Sequence, residues 1–296
     1  MAARDIARRD LVVVTGKGGV GKSFIAAALA SAFADAGRRT LLCTLDERVD
    51  AARFVGATEA NFRATEVRPG LFVSSVEPEA SLKEYLKLHL HLPFVTSVTP
   101  IAAVLDFVAT AAPGVREIVT VGKVAYEVRE RHYGVVVVDA PATGHVAGHL
   151  AAATTLQDLV GGGLIRQQTQ WMRAILQNRD RTSAIVVTSL EETPVNESIE
   201  LIASLRDTAD VGVDAIIANR MAPAVVPTTA RDEANDLLDH SHGPDVQLAR
   251  RALQRREAHL AQWNRLRAGA PTTDVVVVGE GSINDVARAL AEELSL

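Results

Sequence analysis

The sequence predicts an α/β fold, a mostly parallel sheet with helices on both faces. Three observations lead there. Short runs rich in valine and other β-branched residues recur along the chain, apolar on both faces rather than alternating, as in strands buried within a parallel sheet. Helical patterns separate them, and strand–helix alternation of this kind implies a sheet covered on two sides. A glycine-rich loop joins the first strand to the first helix. With 296 residues and 48% hydrophobic content there is apolar material for a sizeable core, and the whole chain, 1–296, reads as one large domain.

Taken in order, the first strand is "LVVVT" (11–15), followed by a helix over 22–36 and the strand "TLLCTL" (40–45). From about residue 77 to 132 the alternation breaks into consecutive helices, with expected joints at Pro93, Pro100 and Pro113. This stretch is expected to be a helical subdomain inserted in the sheet domain. Its piece "YLKLHLHLPF" (85–94) alternates strictly like a strand, yet its neighbours favour a helix. His89 and His91 have metal-ligand spacing for a strand, but no cysteine or acidic cluster stands near and no metal role is expected. The later strands are "YGVVVVDA" (133–140), "SAIVVTS" (183–189), "VDAIIAN" (213–219) and "TDVVVV" (273–278), with helices over 194–209 and 281–295. Right-handed crossovers between parallel strands fix the general topology. The stretch 228–268 is polar and helical. Its basic middle (Arg250, Arg251, Arg255, Arg256) reads as a solvated helix face, with a surface for an acidic partner as the alternative.

The net charge of -5 gives no general attraction to nucleic acid or anionic lipid, so no nucleic-acid partner is expected. One cysteine, Cys43, allows neither an internal disulfide nor a CxxC clip and reads as a small buried hydrophobe. The first residues, "MAARDIARRDL", lack the apolar core of a signal peptide, and no segment reaches the length of a membrane span. The expectation is a cytoplasmic protein.

The loop Gly16-Lys17-Gly18-Gly19-Val20-Gly21-Lys22-Ser23 fits GxxxxGK[ST] without mismatch, between a buried strand and an alanine-rich helix as that pattern requires. Glycines let the backbone wrap phosphate oxygens and aim N–H groups inward. The helix start adds its positive end. Lys22 is placed to reach the β- and γ-phosphates and the Ser23 hydroxyl to bind Mg²⁺. Phe24 closes this nucleotide-contacting run, with its ring packing the helix onto the sheet. Asp139 ends a buried strand, where a carboxylate holds Mg²⁺, commonly through water; a turn aspartate is the plainer alternative. Asp46 follows another strand and is a candidate for orienting or deprotonating water, with Asp50 as fallback and a helix cap as the alternative. Asn219 stands at a strand's C-terminal edge, where ligands of open α/β sheets bind, as an adenine reader or a turn asparagine.

"GKGGVGKS", with its additional Lys17, resembles the deviant Walker A loop of the P-loop ATPases that include MinD, ParA and the ArsA type. "DAPATGH" (139–145) resembles the ArsA family's second switch, DTAPTGH, and residues 112–145 resemble the end of that family's helical insert. The likeness covers nearly the whole chain, closest to bacterial single-domain ArsA-like ATPases. It implies ATP and Mg²⁺ as cofactors and a homodimer or a heterodimer with a paralogous ATPase. It implies that Lys17 crosses the interface to the partner's nucleotide, that Lys22 and Ser23 hold Mg·ATP, that Asp46 acts on water, that Asp139 belongs to the metal's outer shell and that Asn219 recognises adenine. The family's first switch, DPAHS, here reads "DERVD" (46–50), which points to slow hydrolysis. The zinc-clip CxxC and the metalloid-binding cysteines are absent, and none of the three methionines falls in 77–132. The apolar insert ("PIAAVLDFVATAA", 100–112) remains core, or a surface for a hydrophobic or membrane-protein client, which would allow a peripheral membrane location. The leading expectation is a dimeric switch ATPase. The alternatives are a weakly hydrolysing structural subunit paired with a paralogue, then a ParA/MinD-like positioning ATPase.

Overall fold

The valine runs form strands whose successive side chains serve two different core layers. In β1 (Leu11–Gly16), Val12 and Val14 enter one layer while Leu11 and Val13 enter the other. The computed structural model describes residues 3–45, 50–90, 115–142, 146–148, 150–151 and 164–296. Within them the strands are β1, β2 (Thr40–Thr44), β3 (Thr65–Arg68), β4 (Leu71–Ser75), β5 (Val135–Asp139), β6 (Thr182–Ser189), β7 (Val213–Asn219) and β8 (Asp274–Val277). They make one sheet in the order β3-β4-β2-β5-β1-β6-β7-β8. Every neighbouring pair is parallel except β3 with β4.

One face carries α1 (Lys22–Asp35), α2 (Asp50–Phe54) and α9 (Ile283–Leu294). Helix α1 is buried from Ile25 through Phe33. Its small side chains, Ala26 to Ala28, Ala30 and Ala32, let it lie close to the strands, which is why this segment reads apolar all round. The opposite face carries α4 (Val115–Arg129), α5 (Leu164–Leu176) and α6 (Glu192–Asp207). Helices α7 (Arg231–Asp239) and α8 (Pro244–Gly269) follow β7, and α7 buries none of its side chains. Among the described residues no helix is long and apolar enough to cross a membrane.

Between β4 and β5 the described residues are helical: α3 (Pro78–Leu90) and α4. The alternating stretch from residue 85 is therefore helix as far as Leu90, and 91–114, with His91 and the apolar run, lies outside the described residues. The insert is tied together by Lys123, whose ammonium pairs with Glu84 of α3 at 2.7 Å and with Glu127 one turn on at 2.8 Å.

The β3–β4 hairpin has no counterpart in the expected strands. Its segment, "TEVRPGLFVSS", offers only "LFV" as an apolar run before two serines. Burial completes β4: Ser74 and Ser75 are buried along with Val73. Gly70, at φ 78, makes the reversal.

Cys43 sits in the second core layer, 2% exposed. Burial pushes its thiol pKa up to about 12, against a hydrogen bond with Ser74 that pulls the other way. A thiol so protonated and enclosed is a poor nucleophile. The native protein is expected to react with a disulfide thiol reagent far more slowly than the urea-unfolded chain, and equal rates would contradict this placement.

Candidate functional site

Chain direction brings the described sequence candidates to one edge. Parallel strands all end on the same side, and β1 lies between β5 and β6, where the connections diverge to the two halves of the sheet. That divergence opens a crevice beyond the strand ends. Gly16 aligns with Val187 of β6, Asp139 with Val14 and Thr44, and Asn219 with Ser189.

Each loop glycine has a separate reason. A Cβ on Gly16 would fall 2.1 Å from the Val187 carbonyl oxygen, so only glycine lets β1 leave the sheet there. Gly19 and Gly21 take φ of 86 and 97, which L side chains rarely adopt. Among the described residues nothing lies within 4 Å of a Cβ position at Gly18 or Gly19, so none of them closes the loop's outer wall. Gly21 is the residue before α1, and the α1 backbone N–H groups begin immediately after it. The result is an open, glycine-walled cradle at a helix start, which suits phosphate oxygens.

The two lysines are held differently. The Lys22 ammonium donates to the Lys17 carbonyl at 3.1 Å, across the loop. The Lys17 side chain instead reaches to α6 and pairs with Glu197 at 2.5 Å, both about one-third exposed. Glu197 was not among the sequence candidates. Its only local signal is an acid in the second turn of the helix that follows β6, on the edge of the sheet where the loop lies.

Asp139 is buried at the β5 terminus, 7% exposed. Its backbone carbonyl accepts from Leu45 N–H at 3.2 Å, so the chain enters the first switch segment directly beside it. Asp46 itself lies outside the described residues, as does Thr143-Gly144-His145 of the second switch. Asp50 opens α2 as an exposed residue and stands 4.0 Å from Arg53. Phe24 packs edge-on against Phe54, centroids 5.2 Å apart, so α1 and α2 are in aromatic contact at this edge. Ser23, in the first turn of α1, and Asp139 supply hard oxygen donors beside the cradle, a set that fits Mg²⁺ together with phosphate oxygens.

Asn219 is 3% exposed, and its amide already has protein partners. Nδ2 donates to the Val20 carbonyl at 2.9 Å, and Oδ1 accepts from Arg220 N–H at 3.0 Å. It therefore ties β7 to the loop through one N–H, and its oxygen accepts from the next residue along the chain. Arg220 takes φ 59, left-handed for a side-chain-bearing residue. Of the basic residues on α8, Arg250 is bound to the Leu238 carbonyl and stands 3.2 Å from Asp239, and Arg256 donates to the Ala222 carbonyl. That half of the basic stretch fastens neighbouring segments.

Comparison with known proteins agrees with this geometry. Residues 9–170 match the model of the anion-transporting ATPase family, ArsA. The chain is 33% identical over 225 residues to the ATPase BagA of Mycobacterium tuberculosis, covering 72% of this chain and 66% of that protein. A Mycobacterium bovis protein with a provisional ATPase name is equally similar. A Halobacterium salinarum protein, provisionally named as an arsenical pump-driving ATPase, is 27% identical over 71% of this chain and 35% of its own length. The matched region thus spans about two thirds of the mycobacterial relatives.

Proposed function

We propose, because this chain belongs to the anion-transporting ATPase (ArsA) family, that it is an ATPase of the switch type, binding Mg·ATP at the Gly16–Phe24 loop and hydrolysing it when two protomers close on each other. The observation that carries this reading is the unequal disposition of the two loop lysines. Lys22 stays over its own cradle, while Lys17 is turned away from it onto Glu197. A cation facing outward at the rim is suited to a neighbour's phosphates.

In this reading the loop N–H groups and Lys22 bind the β- and γ-phosphates. Ser23 and Asp139 hold Mg²⁺, which when bound neutralises phosphate charge. Asp46 orients water, and Asn219 reads the adenine edge while fixing Val20. Lys17 leaves Glu197 and supplies charge to the partner's nucleotide. The exchange is favourable because a triphosphate carries more negative charge than one carboxylate. The partner is a second copy or a paralogue. The apolar insert is a candidate surface for a hydrophobic or membrane-associated client.

Light scattering tests the closing step. Mass is expected to shift from monomer toward dimer with a non-hydrolysable ATP analogue and Mg²⁺, and an unchanged mass with nucleotide bound would contradict it.

A second reading has one observation in its favour: the first switch reads "DERVD" rather than the family's DPAHS. A nucleotide-holding structural subunit would turn over near background in a single-turnover assay, with Asp46→Asn making no difference. The switch reading expects a measurable rate that Asp46→Asn reduces at least about tenfold.

A further inference from the structure

The segment leaving β7 is pinned at four consecutive residues. Asn219 binds the phosphate loop at Val20, and Arg220 N–H binds back to the Asn219 side chain. Met221 N–H donates to the Val278 carbonyl at 3.0 Å, at the β8 exit. Ala222 is gripped by α8 through both its polar groups: its N–H donates to His259 Nδ1 at 3.1 Å, and its carbonyl accepts from Arg256. His259 is 7% exposed, on the helix that also sends Leu260 and Trp263 against Leu190, Ala218 and Met221. A left-handed Arg220 persists only if both sides of it are fixed. Asn219 fixes one side and the α8 clamp the other.

We infer that His259 is a positioning residue for the nucleotide site: by accepting the Ala222 N–H it holds the β7 exit in the conformation that seats Asn219 against the phosphate loop. This rests on the reading of that loop as a nucleotide site. The role requires an unprotonated Nδ1, since an imidazolium has two donors and no acceptor. The charged groups bearing on the ring are Arg255 and Arg256 from its own helix and Glu191 from the start of α6. Burial, then Arg255, lower its pKa, with Arg256 adding and Glu191 opposing. The clamped state therefore takes up a proton less readily than the released one. The clamp is at full strength above about pH 6.5, the ordinary histidine value, and weakens as pH falls below it.

The test measures a fluorescent ADP's affinity at pH 7.5 and at 5.5, where a free histidine is roughly ten parts protonated to one. The wild-type chain is expected to bind about three- to tenfold more weakly at the lower pH than at the higher. In His259→Gln the side-chain carbonyl accepts at either pH, so that variant's ratio should reflect only the ligand's own protonation, which is common to both proteins. An equal ratio in the two proteins overturns the inference. If the wild-type chain binds no nucleotide even at the higher pH, the nucleotide reading fails instead. Hydrogen exchange of the Ala222 amide in ligand-free wild-type protein then decides the clamp, and decides it also if the variant does not fold. Protection, corrected for the intrinsic rate, is expected to fall several-fold between the two pH values, and unchanged protection overturns the inference.

Discussion

Lys22→Ala is expected to abolish ATP binding at micromolar nucleotide. The alanine removes a cation placed over the cradle, and with it charge-assisted hydrogen bonds to two phosphates. Each such bond is worth about 1.5–3 kcal/mol, so a loss of at least about 100-fold in affinity follows. Folding should survive, because the ammonium's bond to the Lys17 carbonyl lies at a part-exposed loop outside the two core layers. Calorimetric titration with ATP and Mg²⁺, paired with a thermal melt, separates the two effects. An affinity within a factor of a few of wild type would remove Lys22 from the phosphate site.

Lys17→Ala is expected to do the opposite: keep binding and lose turnover. A charge delivered from outside the site in related phosphoryl transfers is worth about 10³–10⁵ in rate. The hydrolysis rate is therefore expected to fall at least about a thousandfold, with affinity changed by no more than a few-fold. The lost Glu197 contact should hardly register in stability, since part-exposed pairs of this kind contribute about 0–1 kcal/mol. Equal losses of affinity in Lys17→Ala and Lys22→Ala would mean that both lysines serve the same protomer's nucleotide.

Much of the scaffold was legible because its signals are local. β1, the loop and α1 declare themselves within 25 residues: a continuous apolar run, positive-φ glycines and a small-residue helix. β5, β6 and β7 follow from apolar runs rich in valine, isoleucine and alanine, since burial on both faces leaves no alternation to misread, and β8, a partly exposed edge strand, follows from its valines. The hairpin β3–β4 was hidden because its two serines are buried by packing, not by their own preference. The site divided in the same way. The loop residues, Asp139 and Asn219 were readable because they stand at strand ends. Asp46, named on the same ground, falls outside the described residues. Glu197 and Ala222 were not readable, because what gives them meaning is contact across the fold. Glu197 meets Lys17 across 180 positions of sequence, and the partner of Ala222 is 37 positions further on. Nor did the sequence show that Asn219 spends part of its amide on Val20, 199 positions away.

The most direct test of Lys17's role is complementation between two inactive chains. A Lys22→Ala protomer keeps Lys17 but holds no ATP, and a Lys17→Ala protomer holds ATP but lacks the donated charge. If the lysine acts across the interface, each mixed dimer contains one complete site, and an equimolar mixture should recover about a quarter of the wild-type rate from two parents that are each near background. A mixture as inactive as its parents, with mixed dimers demonstrated by tagged copurification, would contradict donation between protomers and return Lys17 to its own site.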